Sequence, residues 1–185
     1  MLEALKKDHR QKMEKAVSDL VHALGTIRTG RASLSLLDGI EAEAYGSKMP
    51  LRQLASLNTP DARTISIQPF DPNQIGAIER AIRASNLGIN PANDGRVIRL
   101  TIPPLTEERR KDLVKVARRY AEEHRVAIRQ VRHHFIDEVK KLEKDKKLTE
   151  DERHKEVEAG QKLTDDFIKK IDAELEKKEA EIMEV

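Results

Sequence analysis

The sequence predicts an α+β protein: an elongated three-helix bundle with one small β/α/β domain inserted into it. Three observations carry that prediction. Apolar residues recur at helical spacing near the amino terminus and again over the last 80 residues, while the period shortens to two between residues 40 and 102. With 37% charged residues and 3% aromatics, the chain is too poor in apolar bulk for one thick globule, so narrow helical seams fit better.

In the first helix, Met13, Val17, Leu20, Leu24 and Ile27 step by 4, 3, 4 and 3, behind Leu2 and Leu5, which predicts a helix from Leu2 to Arg28. Gly30 suits a left-handed cap, and residues 31–39 read as linker. Ile40, Ala42 and Ala44 then alternate with Glu41, Glu43 and Tyr45 up to a turn at Gly46-Ser47. Ile65 with Ile67, and Ile98 with Leu100 and Ile102, repeat the strand period. Between them Ile75, Ile78 and Ile82 mark a short helix, and Pro103-Pro104 stops the last strand.

Thr106 is placed to cap a very long helix, with Glu107 and Glu108 favourable in its first turn. Its seam of Leu113, Ala117, Tyr120, His124, Ile128, Val131, Phe135, Val139 and Leu142 follows an 11-residue repeat. That period implies a nearly straight helix with slight right-handed coiling. Residues 146–149 form the turn, and Thr149 caps a last helix whose seam is Val157, Leu163, Phe167, Ile168, Ile171, Leu175 and Ile182. Helices of roughly 27, 40 and 35 residues bury such seams only against one another. The expected domains are 1–30 with 105–185 as the bundle and 31–104 as the insertion, joined by a two-stranded hinge through Ala32, Ser33 and Leu34 and through Pro103, Pro104 and Leu105.

Charge is distributed unevenly. Residues 109–135 hold nine Arg and Lys against three acids, whereas residues 136–185 hold 17 acids against 12 bases. Arg118, Arg125, Arg129 and Arg132 project within a sector of roughly 60°, about 120° round the helix from its seam. Such a row spans about 21 Å and presents guanidinium forks that match phosphate oxygens. Interleaved aromatics are missing, so backbone and shape recognition of structured RNA fits better than base stacking on single strands. A solvated face with intrahelical pairs explains the row only in part: Glu122 is within reach of Arg118, but Arg129 has no acid three or four positions away. An acidic protein partner is the rival to RNA.

Other chemistry is weakly represented. Residues 25–33 approach a phosphate-binding loop, but Arg31 and Ala32 replace its lysine and hydroxyl, and a helix precedes it instead of a strand. His133 and His134 diverge by about 100° on a helix, so only His134 with Glu138 has chelating spacing, and a surface salt bridge is the simpler expectation. His124, on the seam, is expected to be partly buried and hydrogen-bonded. No carboxylate pair sits in an apolar setting that would shift its pKa, so no enzyme is expected. Zero cysteines exclude disulfides and thiolate chemistry and are compatible with a reducing cytoplasm. No uncharged apolar stretch is long enough for a membrane span and no apolar h-region follows the basic amino terminus, so a soluble, unprocessed chain is expected.

Five motifs in order, at residues 27–33, 50–55, 86–91, 103–111 and 126–132, make the chain closely resemble bacterial ribosome recycling factor from end to end. The resemblance implies an L-shaped, tRNA-sized molecule. It implies a cytoplasmic, monomeric translation factor that needs no cofactor of its own. Such factors split the 70S ribosome after termination, together with elongation factor G and GTP. It further implies contacts with large-subunit ribosomal RNA through Arg28 and Arg31 at the tip, Arg129 and Arg132 on the long helix, and Arg110. This chain departs from common family features at His133, Ala44 and Leu34. The alternative from another class is a helical RNA-binding or coiled-coil adaptor without recycling activity.

Overall fold

The computed structural model describes residues 1–184. Its elements run α1 (Leu2–Gly25), β1 (Glu41–Ala44), β2 (Ser47–Pro50), the single turn α2 (Leu51–Leu54), β3 (Ala55–Asp61), β4 (Thr64–Pro69), α3 (Ile75–Ala84), β5 (Ala92–Asn93), β6 (Ile98–Thr101), α4 (Glu107–Lys144) and α5 (Glu150–Met183). Two compact units result: Met1–Thr29 together with the chain from Thr106 onward, and Gly30–Leu105.

In the first unit α1, α4 and α5 pack on one another. Lys6 meets Glu156 near the start of α1 and α5, and Thr29 meets Glu181 near their ends, so these two helices run parallel. α4 runs antiparallel to both. The buried faces are Met13, Ala16, Leu20 and Leu24 on α1, with Phe167 and Ile171 on α5. On α4 they are Leu113, Ala117, Ala121, Ile128, Phe135, Val139 and Leu142. Each large apolar side chain buried there contributes roughly 1.5–3 kcal/mol. Tyr120, His124 and Val131, expected in the α4 seam, are half-buried, and Ala121 is fully buried instead. A helix that faces two partners needs a broader apolar stripe than a single seam, which moves the centre of burial.

Helix ends follow local chemistry. α1 stops three residues before the expected Arg28, as the Thr26 hydroxyl donates to the Ala23 carbonyl at 2.6 Å and Ile27 N–H donates to Leu24 O at 3.1 Å. Thr106 caps α4 by accepting from Arg109 N–H. Thr149 opens α5 with a full capping box: its hydroxyl accepts from Glu152 N–H, and the Glu152 carboxylate accepts from Thr149 N–H at 2.8 Å. Hydrogen bonds from the Thr149 N–H and then the Thr149 hydroxyl hold the Glu152 pKa below its ordinary value.

The second unit contains two antiparallel sheets, β1–β2 and the four-stranded order β3–β4–β6–β5. The strand regions expected at 40–44, 65–67 and 98–102 correspond to β1, β4 and β6, and the structure adds β2, β3 and β5. β1 and β2 are joined by a two-residue turn at Tyr45-Gly46, both at positive φ, one residue before the expected turn. Tyr45 is steadied in that uncommon conformation by donating its hydroxyl to Asp71 at 2.9 Å. Ala42, Ala44, Leu51, Leu54, Ile65, Ile67, Ile78, Ile82, Ile98 and Leu100 form the core, with α3 packed on β1. The expected hinge residues begin inside this unit. Ala32 N–H donates to Ala62 O at 2.7 Å, Ser33 caps the 3-10 turn Leu34–Leu37, and Leu34 packs on the core. Gly30, at φ +75°, lies so close to Leu105 that an added Cβ would sit 3.3 Å from its side chain.

Candidate nucleic-acid interface

Two members of the arginine row on α4, Arg118 and Arg125, reach carboxylates of the acidic helix α5, and Arg129 shares Glu122 of its own helix. Arg118 pairs with Glu179. Arg125 donates through Nε and Nη2 to Asp172 Oδ1 at 2.9 and 2.7 Å and through Nη1 to Glu122 at 3.0 Å. Arg129 donates through Nη1 to the other Glu122 oxygen at 3.0 Å. Glu122 therefore serves Arg125 and Arg129, not Arg118, because seven residues of helix return Arg129 to nearly the same face. Hydrogen bonds from Arg129 and then Arg125 hold the Glu122 pKa below its usual range. At Arg125 burial works against the charge, but Asp172 and Glu122 outweigh it and raise the pKa.

Arg132 differs from the other three. Its Nη1 donates to the Gln161 amide oxygen at 2.8 Å, while its Nε is buried without a partner among the described residues. Arg28 is exposed and Arg110 half-buried, and neither side chain makes a hydrogen bond or ion pair among the described residues. Both lie towards the end of the bundle where α1 finishes and α4 begins. Arg110 and Arg132 are 22 residues apart on α4, about 33 Å along its axis, so the predicted residues do not converge on one point. Arg31 is exposed in the second unit.

His133 and His134 are exposed, and no ion pair joins His134 to Glu138 among the described residues. His124 is half-buried with Nδ1 2.6 Å from Tyr120 O. Among the described residues no group of three His, Asp or Glu is arranged to hold a metal ion, and no helix is long and apolar enough to cross a membrane. The pairing acids of α5 and Gln161 were not legible in the sequence, since they depend on the register of α4 against α5. The surplus of acids after residue 136 was the only signal.

Spaced guanidinium groups match the oxygens of phosphates. The family model described as ribosome recycling factor matches residues 20–183. The chain belongs to the ribosome recycling factor family. It is 52% identical to the ribosome-recycling factor of Rickettsia felis over 183 residues, covering 99% of this chain and 98% of that one. Identity to the factor of Nitratidesulfovibrio vulgaris is also 52%, over 184 residues and 100% and 99% of the two chains. A solution structure of a ribosome recycling factor superposes with a TM-score of 0.74 at 43% identity, covering 100% and 98%. The Thermus thermophilus factor, from models of it and Escherichia coli elongation factor G bound to the E. coli post-termination complex, gives 0.63 at 48% identity over the whole of both chains.

Proposed function

We propose that this chain recycles ribosomes in the cytoplasm. It releases them from mRNA after termination by promoting subunit splitting together with elongation factor G and GTP. The observation that carries this reading is the family match along residues 20–183. The recycling factor bound with elongation factor G on a post-termination complex, 48% identical to this chain, supports the partners. The chain is a translation factor, not an enzyme: GTP chemistry belongs to the partner, and the factor works as a monomer without a cofactor.

In this reading the bundle docks on large-subunit ribosomal RNA through Arg28, Arg110, Arg129 and Arg132, with Arg31 from the other unit. Exposed ion pairs such as Arg129–Glu122 contribute little to stability and exchange readily for phosphate. The second unit transmits force across a hinge formed by Ala32, Ser33 and Leu34 and by Pro103, Pro104 and Leu105. Ala32 donates its N–H to Ala62 O and Leu34 packs on the core of the second unit, so these two residues belong with that unit. An adaptor role would need free apolar seams, whereas Met13, Leu20, Leu24, Ile128, Phe135, Val139, Phe167 and Ile171 are buried within the chain.

Light scattering of 70S ribosomes tests the function. With this factor, elongation factor G and GTP the signal falls as subunits separate. A signal unchanged by the complete mixture, with the protein folded, contradicts the reading.

A further inference from the structure

Of the four arginines in the α4 row, Arg132 alone is held by a neutral group. Arg118, Arg125 and Arg129 each give a hydrogen bond to a carboxylate, which cancels charge as it orients the side chain. Gln161 orients without cancelling. Its Oε1 accepts from Arg132 Nη1 at 2.8 Å, and its Nε2 donates to Asp165 Oδ1, one turn along α5, at 2.8 Å. The amide can satisfy both neighbours in one orientation only, because a guanidinium has donors alone and an ionised carboxylate has acceptors alone. Asp165 therefore fixes which way Gln161 faces, and Gln161 fixes Arg132.

The rest of the guanidinium completes the geometry. Nε is buried and unpartnered, so the inner edge of the group is packed against the bundle. Nη1 is taken by Gln161, which leaves Nη2 as the outer nitrogen without a partner among the described residues. A free arginine loses rotamer entropy when it is immobilised, and a group already held in place loses less on binding.

We infer that Gln161, braced by Asp165, is a positioning residue for ribosome binding: it holds the Arg132 guanidinium ready for an RNA phosphate while leaving its positive charge uncompensated. The inference rests on the reading that Arg132 meets ribosomal RNA.

The test is a double-mutant cycle on the full-length factor, reading affinity for the large subunit and the factor concentration giving half-maximal splitting. Gln161→Met keeps the volume and removes the acceptor. It should weaken binding about threefold to tenfold, the size of the net contribution of one ordinary hydrogen bond. The plateau splitting rate should be unchanged. In an Arg132→Ala background the same substitution should cost nothing further. Asp165→Ala, which removes only the brace, should give a smaller loss that also vanishes without Arg132. Loss from Arg132→Ala with none from Gln161→Met overturns the positioning role, as does an equal loss from Gln161→Met in both backgrounds. If Arg132→Ala itself leaves binding intact, the RNA contact at Arg132 fails and the inference falls with it.

Discussion

His9 shows how one side chain can conflict with its surroundings. It is 3% exposed and stacks on Phe135 with ring centroids 4.3 Å apart, and neither ring nitrogen has a hydrogen-bond partner among the described residues. Burial pushes its pKa below the ordinary 6.5; the nearby Val131 main chain and Asp8 favour the charged form and Lys12 opposes it, without reversing the shift. Above the unfolded pKa both states are neutral at this site. As pH falls through about 6.5 the unfolded chain binds a proton that the folded chain resists, so stability declines until the lower folded pKa is reached. The melting temperature should therefore fall from pH 7.5 to 5.5, and His9→Phe should flatten part of that fall while keeping the aromatic stack. An identical pH dependence in the two proteins would show that His9 is not responsible. Burial of His9 was not legible in the sequence, where it stands among charged residues as an apparently solvated position.

At the scale of elements, the long helices were legible because their apolar periods and caps act locally. Thr106 and Thr149 cap α4 and α5 as their spacing from acids implied. β2 and β3 were not legible: Ser47–Pro50 and Ala55–Asp61 lack a clear alternation, and Pro60 lies within β3. An edge strand tolerates such a residue because one side of it needs no ladder partner, so its formation depends on pairing with β4. A close approach between α4 and α5 was also hidden. A Cβ added at Gly160 would lie 2.8 and 2.9 Å from Phe135 ring carbons, and His9 stacks on the same ring. Gly160→Ala gains about 1 kcal/mol of helix propensity, but overpacking costs typically 1–3 kcal/mol. The net result should be a melting temperature lower by about 2–6 °C, measured by circular dichroism. A rise would mean that Phe135 moves aside freely.

Across the whole molecule, the charge asymmetry of the sequence is partly undone by folding. The acids of α5 lie against the bases of α4, so Arg118 and Arg125, read from sequence as members of one electropositive stripe, bridge to Glu179 and Asp172. They join helices, and Arg125 has only 20% of its side chain exposed. Arg132 keeps an uncompensated charge, while Arg129 shares an exposed carboxylate within its own helix. The row was thus legible as a geometric feature, and its division into bridging and available members was not. The family resemblance implies RNA contacts at Arg129 and Arg132, whereas periodicity alone treats all four alike. The central claim is that those two, rather than the whole row, meet RNA phosphates. The most direct measurement is affinity for the large ribosomal subunit over a range of salt concentrations. Each phosphate contact contributes about 0.7–0.9 to the slope of log affinity against log salt. The double variant Arg129→Ala/Arg132→Ala should lower that slope by about 1.5, and Arg118→Ala/Arg125→Ala should leave it unchanged. An unaltered slope in the first variant, or equal reductions in both, would contradict the account.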